Sequence, residues 1–248
     1  KNKLLNDDEL ERLVKESVAS AVKKQFPKLS EQSTVSTNTS NVKTPVGLQE
    51  AVITIPKNFS LKTETLSEAT KENHFKLYEK YSKDYNDISS KLDSITRNKP
   101  ELINPNNSEF RNLKEDEQHN MNGIKLHELY FYNISAMNSK VTVDSLPYMR
   151  LSRDFGSFDN WQFEFRNCAM SATEGWAITY FDPFKNKYFN CFIEKHTLGV
   201  PMMCIPVIVL DTWHHAWFHD YIGKKDEYIN KTMKELNWSI IEARMMVA

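Results

Sequence analysis

The spacing of apolar residues predicts that the first half of the chain is helical. Residues 4–26 carry apolar side chains in one stripe, and residues 66–96 form a second predicted helix with Ser67 as its N-cap. A Pro/Asn-rich break over residues 98–107 ends this helix, and a third helix is predicted over roughly 108–136. Each of these amphipathic segments has one apolar face to bury.

The pattern changes after Asp144, where alternating segments appear beside helical ones. The turn Asp182-Pro-Phe-Lys-Asn is flanked by segments that alternate apolar and polar residues, as in a β-hairpin. The predicted elements of this half are helical segments over residues 158–170 and 171–176, strands over 177–182, 187–193 and 206–211, and a helix from about residue 225 to the C-terminus. We therefore expect an α+β fold, in which a helical hairpin packs on a small three-stranded antiparallel sheet.

The predicted domain organisation has three parts: an N-terminal extension over residues 1–50, a helical hairpin over 51–143 and an α/β domain over 144–248. Residues 30–45 are polar and low in complexity, which is typical of a linker. An apolar helix stripe on such a tether predicts a protein partner outside the domain. A contact with the chain's own domain is the alternative.

The composition narrows the class of protein and its compartment. The net charge of −1 gives no bulk charge with which to attract nucleic acid. Cys168, Cys191 and Cys204 are single residues without a C-x-x-C pair, which favours a reducing compartment and no structural disulfide. No apolar run reaches the length of a membrane span.

The segment from Ile205 to Tyr221 carries the most informative chemistry. An apolar strand ends in the carboxylate of Asp211, and an aromatic-rich segment with three histidines follows at once. Asp211 and His215 are four residues apart across the corner between strand and helix, so both side chains can point at one spot. A carboxylate and an imidazole presented together are suitable ligands for a first-row transition metal.

The stretch Asp211-Thr-Trp-His-His-Ala-Trp-Phe-His-Asp-Tyr221 resembles the C-terminal signature of the iron/manganese superoxide dismutases, D-x-W-E-H-A-Y-x-x-D-Y. Seven of the eight fixed positions match in type. The resemblance covers roughly residues 60–248, and it implies the family's fold, a helical hairpin followed by an α/β domain with a small sheet. It also implies superoxide as the substrate, with dioxygen and hydrogen peroxide as products.

The resemblance further implies one iron or manganese ion per chain. Its implied ligands are His74 on the first hairpin helix, His127 on the second, and the pair formed by Asp211 and His215. His74 stands in Glu-Asn-His-Phe and His127 in Leu-His-Glu-Leu-Tyr-Phe, in the chain order of the family. Three imidazoles and one carboxylate leave room on the metal for a solvent molecule. They also keep the +2 and +3 states of the metal accessible, and dismutation needs both.

Two more residues are implied to take part in catalysis. His196, fifteen residues before Asp211, stands where some branches of the family place the hydrogen-bond partner of the metal-bound solvent. A histidine on a surface turn is the alternative for this residue, and in another branch the partner is a glutamine near the position of Gly123. Tyr81, seven residues after His74, is the implied gateway tyrosine.

Departures from the family pattern keep a second class of function open. His214 replaces the glutamate that pairs with a ligand histidine across the usual homodimer, so a homodimer or pseudo-dimer is expected in altered form. Tyr78 replaces the gateway histidine. With the N-terminal extension, these changes fit a non-catalytic dismutase-like subunit of a large assembly such as a mitochondrial ribosome, where nucleic acid is only an indirect partner. The expected location is the mitochondrial matrix, with the bacterial cytoplasm as the alternative.

Overall fold

The computed structural model describes residues 53–99, 103, 106, 108–135 and 140–248. The predicted N-terminal helix and linker, together with the protein partner assigned to them, lie outside these described residues. The described part of the chain up to residue 246 belongs to one compact unit, and the predicted boundary between residues 143 and 144 stays a prediction. No helix within the described ranges combines the length and the apolar character needed to cross a membrane.

Two long helices form the predicted hairpin. Helix α1 comprises Glu68–Asn98 and helix α2 comprises Ser108–Asn133, and the two pack against each other along their length. Ser67 caps α1 as predicted, because its side-chain oxygen accepts a hydrogen bond from the Thr70 backbone N–H. The hairpin gives the fold two rigid rods on which side chains can be held in register.

The second half of the chain is a mixed helical and sheet layer. Its elements in chain order are α3 (Leu146–Phe155), α4 (Phe158–Ser171), β1 (Gly175–Asp182), β2 (Lys187–Glu194), β3 (Ile205–Asp211), α5 (His214–Trp217), α6 (Lys225–Lys234) and α7 (Trp238–Val247). The three strands form one antiparallel sheet in the order β2-β1-β3, so the α+β fold and the small three-stranded sheet are confirmed.

The central strand β1 separates two layers of the core. Trp161 on α4 donates its indole N–H to Thr179 Oγ1 at 2.9 Å on one face of β1. Trp176 points to the opposite face, since side chains three positions apart in a strand lie on opposite sides, and its ring centroid lies 5.0 Å from that of His127 on α2. The sheet therefore packs between α4 and the helical hairpin, and Trp176 pairs in register with Asp211 at the end of β3.

The predicted helical segment over residues 171–176 is wrong. Helix α4 ends at Ser171, and β1 already begins at Gly175. The chain passes very close to β2 at this point, because a Cβ atom on Gly175 would lie only 1.9 Å from the carbonyl oxygen of Ile193. Only glycine permits this approach, so the residue marks the start of strand pairing rather than a helical turn.

Two other predictions about helices need correction. The final helix is two helices, α6 and α7, because Asn237 ends the run: its N–H donates to the Asn133 carbonyl at 2.7 Å and its side chain accepts from Ile240 N. Helix α3 was not predicted, although Ser145 caps it and a proline lies in its first turn. Both are ordinary signals for the start of a helix, but a helix this short has too few turns to show a clear apolar periodicity.

Candidate metal centre

Four side chains from four elements meet at the junction of the hairpin and the sheet. His74 comes from α1, His127 from α2, Asp211 from the end of β3 and His215 from α5. Their candidate ligand atoms all lie within 4.8 Å of one another. The side chains of the first three have no exposed surface, whereas 26% of the His215 side chain is exposed.

One carboxylate oxygen lies at the centre of this group. Asp211 Oδ2 lies 3.1 Å from Nε2 of His74, 3.2 Å from Nε2 of His215 and 3.8 Å from Nε2 of His127. The other carboxylate oxygen accepts a hydrogen bond from the Trp213 backbone N–H at 2.9 Å. The carboxylate is thus oriented by the chain itself, with one oxygen facing three imidazole nitrogens.

The corner after β3 is held rigidly in place. Thr212 donates both its backbone N–H and its hydroxyl to the Gly175 carbonyl, at 3.0 Å and 2.8 Å. The Asp211 carbonyl accepts a hydrogen bond at 2.8 Å from the hydroxyl of Tyr228, which is completely buried. These bonds fix the direction in which Asp211 and the short helix carrying His215 leave the sheet.

The donor set suits a transition metal cation. The Gly123 carbonyl can only accept, so at 2.6 Å it fixes the His127 proton on Nδ1 and leaves a lone pair on Nε2. That Nε2 atom is buried and has no hydrogen-bond partner among the described residues, although it faces the Asp211 carboxylate. An imidazole lone pair and a carboxylate oxygen directed at one point are what iron or manganese requires, so the residues fit such an ion.

Burial and mutual contacts keep His74 and His127 neutral and Asp211 ionised. Burial lowers the pKa of His74, and burial and the neighbouring His74 hold the pKa of His127 well below its ordinary value, so both rings are neutral. Burial alone raises the pKa of the Asp211 carboxyl. Its contacts with His215 and His74 outweigh that effect and hold the pKa far below its ordinary value, so the group is ionised.

His196 is completely buried beside the four residues, so the alternative of a surface turn is wrong. Trp176 donates its indole N–H to Nδ1 of His196 at 3.0 Å, and an indole can only donate. The His196 proton is therefore on Nε2, which donates to the Tyr81 hydroxyl at 3.1 Å. Burial lowers the pKa of His196 to about 3, so the ring stays neutral in this arrangement.

Tyr81 fills a notch in α2 next to the cluster. A Cβ atom on Gly123 would lie 3.2 Å from the Tyr81 ring, so the absent side chain provides the space for that ring. The ring centroid lies 5.3 Å from that of His127 and 5.1 Å from that of His196. Burial raises the pKa of Tyr81 to about 12, so the hydroxyl keeps its proton. Its assigned part in catalysis, like that of His196, stays a prediction.

Tyr78 and His214, which differ from the family pattern, have well-defined neighbours. Tyr78 is completely buried, and its hydroxyl donates to Glu128 Oε1 at 2.9 Å while accepting from the Lys57 N–H at 3.0 Å. The Tyr78 hydroxyl therefore has both a donor and an acceptor, and it links α2 to the segment that precedes α1. His214 is exposed, with Nδ1 3.9 Å from Glu174 Oε1, so it presents an imidazole rather than a carboxylate at that surface.

His119 also belongs to this region, although it was not predicted from the sequence. The ring centroid of His119 lies 4.4 Å from that of His196 and 6.0 Å from that of Tyr81. The signal was present, because His119, Gly123 and His127 are spaced four apart on α2 and so share one helix face. Five of the chain's seven histidines therefore meet in this region.

Comparisons with known proteins agree with this geometry. Residues 148–244 match the family described as iron/manganese superoxide dismutases, C-terminal domain. The chain is 33% identical to "Superoxide dismutase [Fe]" of Aquifex pyrophilus over 182 residues, which is 73% of this chain and 84% of that protein. The same figures hold for "Superoxide dismutase [Fe]" of Aquifex aeolicus.

Relatives named for manganese match as well. The chain is 32% identical to "Superoxide dismutase [Mn] 2" of Haloferax volcanii over 126 residues, which is 51% of this chain and 62% of that protein. Similarity to an iron protein over most of its length, together with the four converging ligand residues, decides the family. The chain belongs to the iron/manganese superoxide dismutase family.

Proposed function

We propose that this chain converts superoxide to dioxygen and hydrogen peroxide at a single iron or manganese ion held by His74, His127, Asp211 and His215. The observation that carries the proposal is the convergence of three imidazole Nε2 atoms on one oxygen of an ionised, buried carboxylate. When bound, the metal would supply one-electron redox chemistry, because it can take an electron from one superoxide and give it to the next.

The chain's own residues would supply orientation and protons. Trp176 fixes the tautomer of His196, and His196 donates its only proton to the Tyr81 oxygen. The hydroxyl proton of Tyr81 is then not used in that bond and is free to move toward a peroxide product. A hydroxyl of high pKa is a poor acid in water, but it can pass a proton on when a second donor replaces it.

Aromatic rings would limit the access of water to the site. Trp176 has no exposed surface, and the Trp213 ring lies 5.3 Å from His196 and 5.8 Å from His215 between centroids. A surrounding of low polarity strengthens the electrostatic interaction between the carboxylate and a cation. The same rings restrict the site to small substrates such as superoxide.

The test is to measure metal content and superoxide turnover in the wild type, in Asp211→Asn and in His219→Ala. Asp211→Asn keeps the shape of the side chain but removes its charge. We expect a loss of metal and at least about a hundredfold loss of activity, because even the loss of a hydrogen-bond partner behind a ligand costs about tenfold to a hundredfold. His219 is exposed and outside the cluster, so His219→Ala should match the wild type. A metal-loaded wild type without turnover would overturn the proposal.

A further inference from the structure

His119 lies at the outer end of a row of rings that leads to the ligand cluster. It shares one face of α2 with Gly123 and His127, and the Tyr81 ring occupies the notch at Gly123 between the two histidines. The ring centroids are 6.0 Å apart for His119 and Tyr81, and 5.3 Å apart for Tyr81 and His127. The row therefore runs from His119 through Tyr81 to a ligand.

His119 is the outer of two partly exposed members of this row, and Tyr81 is the other. His127 and His196 are completely buried, whereas the His119 ring is only partly covered. It covers the Tyr81–His196 pair, with its ring centroid 4.4 Å from that of His196. The Asn122 side chain donates to the His196 carbonyl at 2.9 Å, so α2 also holds the backbone of His196 in place. One side of His119 thus contacts Tyr81 and His196, and the other side meets water.

Tyr81 and His196 need a neighbour that exchanges protons with water if they are to supply protons repeatedly. Both nitrogens of His196 are engaged, one accepting from Trp176 and the other donating to Tyr81. A proton that Tyr81 gives away must be replaced from outside, and His196 cannot replace it without breaking this tautomeric arrangement. Imidazole is the side chain whose ordinary pKa suits proton exchange with water near neutral pH.

We propose that His119 is the residue that relays protons from bulk water to the Tyr81 hydroxyl. This inference rests on the proposed dismutase function, because reduction of superoxide to hydrogen peroxide consumes two protons for each electron. Tyr81 gives its hydroxyl proton to the peroxide product while the imidazolium of His119 gives one back to the Tyr81 oxygen through a bridging water. His119 is then neutral and takes a proton from solvent, and the second proton follows the same route.

The charges around His119 are compatible with this role. Burial lowers the pKa of His119. The positive charge of Lys195 lowers this pKa further, whereas the negative charge of Asp116 raises it. Tyr81 and His196, the other titratable groups in contact with the ring, are neutral. A pKa below the ordinary value makes the imidazolium a stronger acid, which favours release of its proton toward the site.

The first experiment compares the metal-loaded wild type with His119→Gln, which can form hydrogen bonds but cannot carry a proton. We expect turnover at saturating superoxide to fall about tenfold, a modest share of what general acid–base catalysis contributes. The metal content should not change, added imidazole should restore turnover, and the solvent isotope effect should increase. The matched control is His219→Gln, another partly solvent-exposed histidine, which should show neither the loss nor the response to imidazole.

A second experiment does not depend on turnover. Diethyl pyrocarbonate acylates neutral, accessible imidazoles, so peptide mass spectrometry of the treated holoprotein gives the modification rate of His119 against pH. We expect His119 to react, with half of its maximal rate below the ordinary pKa of 6.5. An unreactive His119 beside a reactive His219 would overturn the relay, because the ring would not reach solvent.

The outcomes separate this inference from the proposed function. If the metal-loaded wild type has no turnover, the dismutase proposal fails, whatever the result for His119 labelling. If the wild type is active and His119→Gln is equally active, the relay is wrong and the dismutase proposal stands. A loss that imidazole does not restore, with an unchanged isotope effect, shows that His119 only packs against His196 and also overturns the relay.

Discussion

Two buried tryptophans on opposite faces of β1 offer a direct test of how Trp176 contributes to the site. Neither Trp161 nor Trp176 has exposed surface, and each donates one indole hydrogen bond, to Thr179 at 2.9 Å and to His196 at 3.0 Å respectively. Replacing either by Phe removes the donor and part of the ring. The two changes are therefore chemically matched, and only Trp176 touches the ligand region.

The structure gives the same stability cost for both variants. The smaller ring leaves a cavity, and the former acceptor loses its partner, so each change should cost about 2–4 kcal/mol. In a domain of this size, that loss lowers the melting temperature by roughly 5–15 °C. The activities should differ, because Trp176 also sets the tautomer of His196, and loss of such a supporting hydrogen bond lowers activity by about tenfold to a hundredfold.

The assay combines urea unfolding with superoxide turnover per bound metal ion, both measured well below the melting temperature of the weaker variant. We expect Trp161→Phe and Trp176→Phe to lose similar stability, while only Trp176→Phe loses turnover. Wild-type turnover in Trp176→Phe would refute the argument that the indole N–H fixes the His196 proton on Nε2. A loss of turnover in both would show that general loosening of β1, and not the tautomer, controls the site.

Two further predictions concern groups that hold the ligand-bearing elements in place. Arg244 is mostly buried and donates hydrogen bonds to Leu129 O, Asn133 Oδ1 and Val207 O, so Arg244→Met should lower the free energy of unfolding by about 3 kcal/mol in urea. The same variant should bind manganese more weakly in a titration. Unchanged manganese binding would contradict the idea that Arg244 holds the ligand-bearing elements in place. Asp220 accepts a hydrogen bond from Ser67 N at 2.9 Å; burial raises the pKa of its carboxyl, but the bonds from Ser67 outweigh this and lower it to about 2. Because the pKa is lowered in the folded state, the ionised carboxylate stabilises the fold above the ordinary pKa of 3.8. This stabilisation is lost as the pH falls toward 2. Asp220→Asn should therefore be about 1 kcal/mol less stable at neutral pH, after allowance for solvent screening, and the difference from the wild type in urea unfolding should shrink below about pH 4; a difference independent of pH would rule out the charge as its cause.

The sequence alone predicted most of the elements, and its resemblance to a known family identified the candidate ligands. Helical periodicity and a Ser cap located α1, alternation around a turn located β1 and β2, and an apolar run ending in Asp211 located β3. His74, His127 and His215 could be named because the short motifs around them resemble those of the iron/manganese superoxide dismutases. Patterns of this kind depend on neighbours within one or two turns, and those neighbours can be read directly from the chain.

Local patterns gave wrong or incomplete results where a distant group decided the structure. The final helix breaks at Asn237 because its N–H meets the Asn133 carbonyl from another part of the chain. Gly175 begins a strand because β2 approaches it too closely for any side chain. Propensity in these segments is weak, so the contacts of the packed fold override it.

The tertiary structure alone decided the chemistry around the ligands. The proton on His196 is placed by an indole twenty residues away, and that proton meets the Tyr81 oxygen across 115 positions of the chain. His119 joins the site because the Tyr81 ring packs at Gly123 and because Asn122 of α2 holds the backbone of His196 beside it. Protonation states depend on burial and on partners in space, and both arise when the hairpin packs on the sheet.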